Sequence, residues 1–247
     1  MCLFTYGLSG SGKTYTMQGG TGRTRGILPR AIDHALKHIQ NLEQTQWICQ
    51  IHVSFLEIYK NKIFDLLSKY DQKEKDVKSF NNVTTIRLTP ANETVTKLIK
   101  GVASRRMTGS TTMNVESSRS HLVCVLNLVM SYSTDAKVLK STLTLVDLAG
   151  VEPSNVSGDV NERSHINTSL KALRACLLAK AKKTTCPPSS RDTKLTSMLM
   201  PLITGGNGST LMILNVSPTE SDAVKTLHSL NFGTGCRSER SKCKALN

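Results

Sequence analysis

The segment from Gly7 to Thr14 constrains this chain most, because its sequence, GLSGSGKT, fits the phosphate-loop pattern GxxxxGK[ST] in full. The apolar run from Leu3 to Tyr6 can form the preceding strand, and residues 13–17 can open a helix. Glycines in such a loop let backbone N–H groups approach phosphate oxygens, and the start of a helix adds favourable partial charge. We therefore predict a nucleoside triphosphate site in which Lys13 reaches the outer phosphates. The predicted phosphate-binding residues are Gly7, Leu8, Ser9, Gly10, Ser11, Gly12, Lys13 and Thr14, of which Thr14 also ligates Mg²⁺.

A second element follows the apolar run from Leu143 to Val146, where the sequence continues Asp147-Leu148-Ala149-Gly150. A carboxylate at the end of a strand can hold the shell of a Mg²⁺ ion, and a glycine three residues later can sense the γ-phosphate through its N–H group. DxxG is weak evidence alone, since Asp and Gly commonly end strands, but it supports the phosphate loop. Proteins that bind guanine nucleotides also carry NKxD, and after Asn61-Lys62 the acidic residue Asp65 comes one place too late. ATP is therefore favoured over GTP.

A third element is the polar stretch from Asn114 to His121, NVESSRSH, directly before the apolar run from Leu122 to Met130. Closely spaced hydroxyls and one guanidinium could close over a γ-phosphate and Mg²⁺, and Arg119 could pair with Glu152 after the DxxG turn. From chemistry alone, a polar solvated loop is an equally good interpretation.

Apolar periodicity predicts how these elements are arranged. Strand-like runs alternate with helical stripes, which is typical of a layered α/β domain. The predicted helical stripes are Ala31/Ile32/Ala35/Leu36/Ile39, Val95/Leu98/Ile99/Val102, Ile166/Leu170/Leu173/Leu177 and Val224/Leu227/Leu230. With 247 residues, of which 38% are hydrophobic, the chain is long enough for one sizeable core.

Composition adds limits on environment and partners. The 32 Lys and Arg residues exceed the 18 Asp and Glu residues by 14, which favours a polyanionic partner. The seven cysteines are scattered and form no CxxC pair, so neither a disulfide framework nor a zinc site is predicted. This pattern favours a reducing compartment. No apolar run reaches the ~20 residues that cross a bilayer. We expect a soluble intracellular protein.

With its three elements in this order, the sequence resembles a kinesin motor domain. The matching text is TYGLSGSGKTYTM at the phosphate loop, NVESSRSH as switch I and LVDLAGVE as switch II, with SFLEIY, INTSL and RDTKLT elsewhere. The resemblance runs from about Leu3 to Arg237. It implies an α/β, three-layer P-loop NTPase fold with a central, mostly parallel sheet flanked by helices. It also implies a motor domain over residues 1–237, followed by a basic tail over residues 238–247.

The resemblance implies a function and residue roles. The chain would be an ATP-dependent microtubule motor, a microtubule-stimulated ATPase with ATP and Mg²⁺ as cofactors. Ser117 and Ser118 would contact the γ-phosphate, and Ser118 and Asp147 would belong to the Mg²⁺ shell. Gly150 would sense the γ-phosphate, and Arg119 would pair with Glu152 to close the switches. The text TLMILNVSP after LMP most resembles the C-terminal-motor, minus-end-directed (kinesin-14) subgroup.

The basic charge is concentrated in one segment. From Arg163 to Lys194, eight Lys and Arg residues against Asp192 give a net charge of +7, half of the +14 of the chain. In the family this segment is the switch II helix and the loop after it, which face the track. The resemblance therefore implies a microtubule-binding surface weakened by added salt. Its predicted residues are Lys171, Arg174, Lys180, Lys182, Lys183, Arg191 and Lys194.

The sequence also departs from the family. Leu8 replaces the usual Gln of the phosphate loop, and Val151 replaces the Ser of DLAGSE. The strands that precede the phosphate loop in the family, with the segment that contacts adenine, are missing. Two alternatives stay open: a non-motor microtubule-binding protein with a weak nucleotide site, and a nucleic-acid-binding NTPase. Against the second alternative, the chain lacks the aromatic-rich stacking surface that binds nucleic acid. We expect microtubules as partner, a possible dimer partner through a stalk absent from this chain, neither nucleic acid nor membrane, and a cytoplasmic, cytoskeletal location that includes the spindle.

Overall fold

The computed structural model describes residues 1–68, 83–89, 92–107, 118–132, 138–151, 160–185, 192–204 and 209–237. Its strands are β1 (Cys2–Gly7), β2 (Trp47–Tyr59), β3 (Lys62–Asp65), β4 (Ile86–Leu88), β5 (His121–Tyr132), β6 (Val138–Asp147) and β7 (Thr210–Asn215). Its helices are α1 (Lys13–Met17), α2 (Ile27–Glu43), α3 (Asn92–Met107), α4 (Val160–Ala181), α5 (Lys194–Thr204) and α6 (Ala223–Cys236). No helix in these ranges combines the length and the apolar character that a membrane span requires.

The sheet is mixed, which corrects the expectation of mostly parallel pairing. Its seven strands follow the order β3-β2-β5-β6-β1-β7, with β4 also pairing to β2. Among the strands in the described ranges, only β1 is parallel to its neighbours, β6 and β7, whereas β2, β3, β4 and β5 pair antiparallel. Lys60 and Asn61 turn the β2–β3 hairpin with φ angles of 48° and 59°. Short connections of this kind can join only antiparallel strands, because a parallel pair needs a long crossover.

Helices cover both faces of the sheet, so the layered α/β domain is confirmed. On one face, α4, α5 and α6 bury a cluster that includes Phe4, Val146 and Leu173. On the other face, α2 and α3 bury a cluster that includes Phe55 and Ile32. Strand β1, the first half of β5 and the end of β6 are buried because helices cover both faces there.

The helical stripes are confirmed for α4 but not for α6. The four residues of the stripe on α4 are all buried: Ile166, Leu170, Leu173 and Leu177. On α6, Val224, Leu227 and Leu230 are 66%, 56% and 44% exposed, so the predicted buried stripe is wrong. The buried face of this helix instead carries Ser229 and Phe232. Spacing shows that an apolar stripe exists, but not which side of the helix meets the sheet.

The parallel register of β1 and β6 brings two sequence motifs together. Thr5 lies opposite Asp147, so the strands end at the same edge of the sheet. The carboxyl ends of parallel strands are where ligands bind in open α/β sheets. On the other side of β1, β7 pairs through to Asn215 opposite Gly7. No strand among the described residues pairs with the outer edge of β7, where Leu211 is 47% exposed.

Candidate nucleotide site

The loop between β1 and α1 has the backbone that its glycines predict. Gly10 and Gly12 have φ angles of 75° and 89°, in the left-handed region that other residues rarely adopt. At the end of β1, Gly7 approaches the Asn215 carbonyl so closely that a Cβ atom there would overlap it. Lys13 is buried, and its Nζ donates to the Leu8 carbonyl at 2.7 Å. The ammonium group thus lies inside the loop, where phosphate oxygens would bind.

Asp147, at the end of β6, lies beside the start of α1. Thr14 Oγ1 donates to Asp147 Oδ2 at 2.9 Å, and Thr5 Oγ1 donates to Oδ1 at 3.4 Å. Asp147 is fully buried. A hydroxyl beside a buried carboxylate is an oxygen donor set that suits Mg²⁺, which binds through one or two carboxylates and substrate phosphates. The residues present therefore fit a magnesium ion.

A buried arginine from α3 balances the charge of this carboxylate. Arg106 Nη1 lies 3.3 Å from Asp147 Oδ2, and its Nε lies 3.5 Å from Glu57 Oε1 on β2. The Arg106 guanidinium also donates to the backbone carbonyl of Ser120 at 2.9 Å, and Ser120 Oγ donates to Glu57 at 2.5 Å. Burial raises the pKa of the Glu57 carboxyl, although the bond from Ser120 and the charge of Arg106 act in the opposite direction. This network joins β2, α3 and β6 behind the phosphate loop.

The two loops predicted as switches contact each other over the phosphate loop. The Gly150 N–H group donates to the Ser118 carbonyl at 2.9 Å. Gly150 also lies against Ser9, and a Cβ atom at this position would overlap the Ser9 hydroxyl. Ser9 Oγ is buried and has no hydrogen-bond partner within the part of the chain that the structure describes. Buried hydroxyls are rarely left without a partner, and a phosphate oxygen would satisfy this one.

Both substitutions relative to the family act through backbone atoms in this structure. Leu8 supplies the carbonyl that Lys13 binds, while its side chain is buried. Val151 supplies the N–H group that donates to the Gly7 carbonyl at 3.1 Å. Backbone groups do not depend on side-chain identity, so these contacts with the phosphate loop survive both departures.

Three predicted site residues lie outside the described residues: Ser117, Glu152 and Arg191. The proposed pair of Arg119 with Glu152 is therefore not part of the described structure, although Arg119 itself is half-buried beside Ser118.

The predicted track-binding residues differ in their contacts with the rest of the protein. Lys171, Lys182 and Lys183 are exposed. Arg174 and Lys180 are exposed as well, although each also contacts the protein, and Lys194 is half-buried. The Arg174 guanidinium lies over the Phe232 ring at 5.0 Å from its centroid, Lys180 Nζ donates to the Ile203 carbonyl, and the Lys194 N–H group donates to Asn61 Oδ1 at 2.8 Å. Basic spacing along a segment does not show which exposed cations also contact the protein.

Several site residues were not predicted from sequence. Arg106 meets Glu57 and Ser120 because α3 docks beside the sheet, and no local pattern signals this contact, although Ser120 itself lies in the NVESSRSH motif. Asn215 is a second case: its Nδ2 donates to Thr16 Oγ1 at 2.9 Å. His121 is a third, and here a signal existed, because this residue ends the NVESSRSH motif. It is buried, and its Nδ1 accepts from the Ala149 N–H group at 3.0 Å.

Comparison with known proteins supports the resemblance to the kinesin motor domain. The family model described as kinesin motor domain matches residues 1–238. The chain is 36% identical over 246 residues to protein claret segregational from Drosophila melanogaster, covering 96% of this chain and 35% of that protein. It is 35% identical over 257 residues to kinesin-like protein KIN-14M from Arabidopsis thaliana, covering 94% of this chain and 34% of that protein. The chain thus spans about a third of the length of these relatives.

Solved structures agree with the fold. The motor domain of the kinesin-like protein KAR3 from Saccharomyces cerevisiae superposes with a TM-score of 0.78 at 34% sequence identity, covering 95% of this chain and 73% of that structure. The family match, the identities and the phosphate-loop geometry lead to one conclusion. This chain belongs to the kinesin family and corresponds to its motor domain.

Proposed function

We propose that this chain is the motor region of an ATP-driven microtubule motor, in which the nucleotide site controls how firmly the protein holds its track. One observation carries the proposal: the Gly150 N–H group meets the Ser118 carbonyl at 2.9 Å directly above the phosphate loop. Two loops that close on each other over a phosphate site can respond to the presence or loss of a γ-phosphate. ATP is the proposed substrate.

Residues of this chain have separate roles in the proposed hydrolysis. Lys13 and the backbone of the phosphate loop bind and orient the phosphates. Thr14, Asp147 and Ser118 would hold the Mg²⁺ ion, which neutralises charge that develops on the phosphates. Ser117 would contact the γ-phosphate, and Gly150 would do so when its N–H group exchanges the Ser118 carbonyl for a phosphate oxygen. Closure of the two loops excludes bulk water and positions the attacking water for in-line transfer.

The ion pair between Arg119 and Glu152 is proposed to hold the closed state. Arg119 immediately follows Ser118, whose carbonyl already accepts from Gly150, and Glu152 comes two residues after Gly150. Both residues are thus connected by a short stretch of backbone to the contact between the loops. Charge-assisted hydrogen bonds between Arg and carboxylate groups are about twice as strong as neutral ones. Such a bond is therefore suited to stabilising the closed state of the two loops.

The exposed lysines of the basic segment are proposed to contact acidic tubulin. Lys171 projects from α4, and Lys182 and Lys183 follow the end of this helix. Arg174 and Lys180 would contribute less, because each already contacts the protein. By similarity to KIN-14M and KAR3, we propose minus-end-directed movement, a dimer partner through a stalk outside this chain, and a cytoskeletal location.

Sedimentation with microtubules tests the proposed function. The chain is expected to pellet with microtubules without nucleotide and to be released by ATP, with an affinity change of at least about fivefold, which is typical of coupled sites. Equal pelleting with and without ATP would identify a non-motor microtubule-binding protein instead. No pelleting at low ionic strength would contradict both interpretations.

Replacing Lys182 and Lys183 together with alanine is expected to weaken binding to microtubules by about two- to thirtyfold, because two exposed ion pairs contribute about 0.2–1 kcal/mol each. The affinity is measured by sedimentation at several salt concentrations. The difference between variant and wild type should shrink as salt is added, because salt screens the attraction that these two lysines supply in the wild type. The matched control is Lys37→Ala with Lys140→Ala, two exposed lysines on α2 and β6. An equal loss in the control would mean that total charge matters and not this surface.

A further inference from the structure

His121 connects three parts of the molecule that the proposed function requires to move together. It is the first residue of β5, three residues after Ser118. Its Nδ1 accepts from the Ala149 N–H group at 3.0 Å, next to Gly150. Its Nε2 lies 3.0 Å from Ser169 Oγ on α4. The His121 side chain thus contacts the loop after β6 on one side and α4 on the other.

The hydrogen bonds determine the tautomer of this ring. Since Nδ1 accepts from a backbone N–H group, it carries no hydrogen, and the neutral ring is protonated at Nε2. Nε2 therefore donates to Ser169 Oγ. The Ser169 hydroxyl in turn donates to the Ile166 carbonyl at 2.7 Å. The bonds run in one direction, from the Ala149 backbone through the ring to the backbone of α4.

The surroundings keep this ring neutral. Burial, together with the positive charges of Arg106 on α3 and Lys13 on α1, lowers the pKa of His121 to about 3. A protonated ring would lose its acceptor at Nδ1 and leave the buried Ala149 N–H group without a partner. The connection is therefore intact at physiological pH.

Ser169 lies on the side of α4 that faces the core. It is 6% exposed, and its neighbour Leu170 is buried in the same core. Lys171 and Arg174 lie on the exposed side of the same helix. Ser169, Lys171 and Arg174 all belong to this one continuous helix of 22 residues. A shift of the Ala149–Gly150 loop would therefore displace the surface proposed to bind microtubules.

We infer that the hydrogen bond between His121 and Ser169 makes His121 a positioning residue, which couples the loop that senses the γ-phosphate to α4. The inference rests on the proposed function and specifies how the site regulates the track surface. It assigns His121 no contact with nucleotide. Its consequence is that breaking the bond uncouples the two sites while both still bind their ligands.

The test uses Ser169→Ala, which removes the bond to α4 and leaves the bond from Ala149 to His121. The ATP-dependent change in microtubule affinity and the stimulation of ATP hydrolysis by microtubules are both expected to fall by about fivefold, the effect of losing one neutral hydrogen bond. ATP hydrolysis without microtubules should change by less than about twofold, since no phosphate contact is lost. Ser169→Thr keeps a hydroxyl and should restore the coupling. Thr168→Ala, exposed one residue earlier on α4, is the matched control and should behave as wild type.

A second measurement needs no microtubules. Hydrogen exchange of the α4 amides should differ between ADP and a non-hydrolysable ATP analogue in the wild type, and the difference should shrink in Ser169→Ala. Should Ser169→Ala fail to fold, His121→Asn serves in its place, since the shorter amide can accept from Ala149 but does not reach Ser169. Wild-type coupling in a folded Ser169→Ala variant would overturn the inference and leave the motor function intact. Absence of ATP-dependent release in the wild type would instead overturn the proposed function, and the inference with it.

Discussion

Replacing Lys13 with alanine is expected to lower the rate of ATP hydrolysis by at least about 100-fold, the usual effect of removing a preorganised charged group that stabilises a transition state. The Lys13 ammonium group is buried inside the phosphate loop, 2.7 Å from the Leu8 carbonyl. A cation held there needs little reorganisation as charge develops on the γ-phosphate. The measurement is steady-state phosphate release with and without microtubules.

The matched control for this change is Lys37→Ala, which removes one exposed lysine from α2. Hydrolysis by this control should equal that of the wild type. Circular dichroism should show that both variants are folded. A folded Lys13→Ala variant with more than a tenth of the wild-type rate would contradict the assignment of this loop as the catalytic phosphate site.

Replacing Arg106 with leucine is expected to lower the free energy of unfolding by about 3–5 kcal/mol, the cost of breaking a buried ion pair by removing one partner. Asp147 and Glu57 would then remain buried without the guanidinium that lies 3.3 and 3.5 Å from them. Arg106→Lys should recover only part of the loss, because an ammonium group cannot reproduce the planar set of donors that reaches Ser120 and both carboxylates. Urea denaturation measures the change.

The pH dependence of this deficit provides a further check. Without Arg106, the raised pKa of the Glu57 carboxyl should rise further, because a stabilising positive charge is lost. The folded variant can then take up a proton as the pH falls, so its deficit relative to wild type should shrink between pH 7 and pH 5. Lys100→Ala, exposed on the same helix, should change stability by less than about 0.5 kcal/mol. An Arg106→Leu deficit below about 1 kcal/mol would show that the network is not a strong structural element.

The phosphate loop was predictable from sequence because its interactions are local. Gly7 to Thr14 are contiguous, and their chemistry depends on a strand, a turn of glycines and a helix that follow one another directly. The stripe Ile166, Leu170, Leu173 and Leu177 was predictable for the same reason, since helical period alone places these residues on one face. The family resemblance, confirmed over residues 1–238, added the order of the elements.

Other features depended on which surfaces meet. The sheet is mixed and not mostly parallel, because pairing depends on connections between strands and not on the strands' own sequences. The apolar stripe of α6 is exposed, although its spacing is as regular as that of α4. Arg174 and Lys180 pack against Phe232 and Ile203, which their positive charge does not indicate.

The sequence by itself therefore determined the family, the phosphate loop and the alternation of strands with helices, since each depends on neighbouring residues or on a simple period. Only the tertiary structure decided that Arg106 balances Asp147 and that His121 reaches Ser169, because these pairs lie 41 and 48 residues apart. Contacts over such distances arise from how helices dock on the sheet. Docking depends on the sum of many weak packing interactions, and no single motif records it.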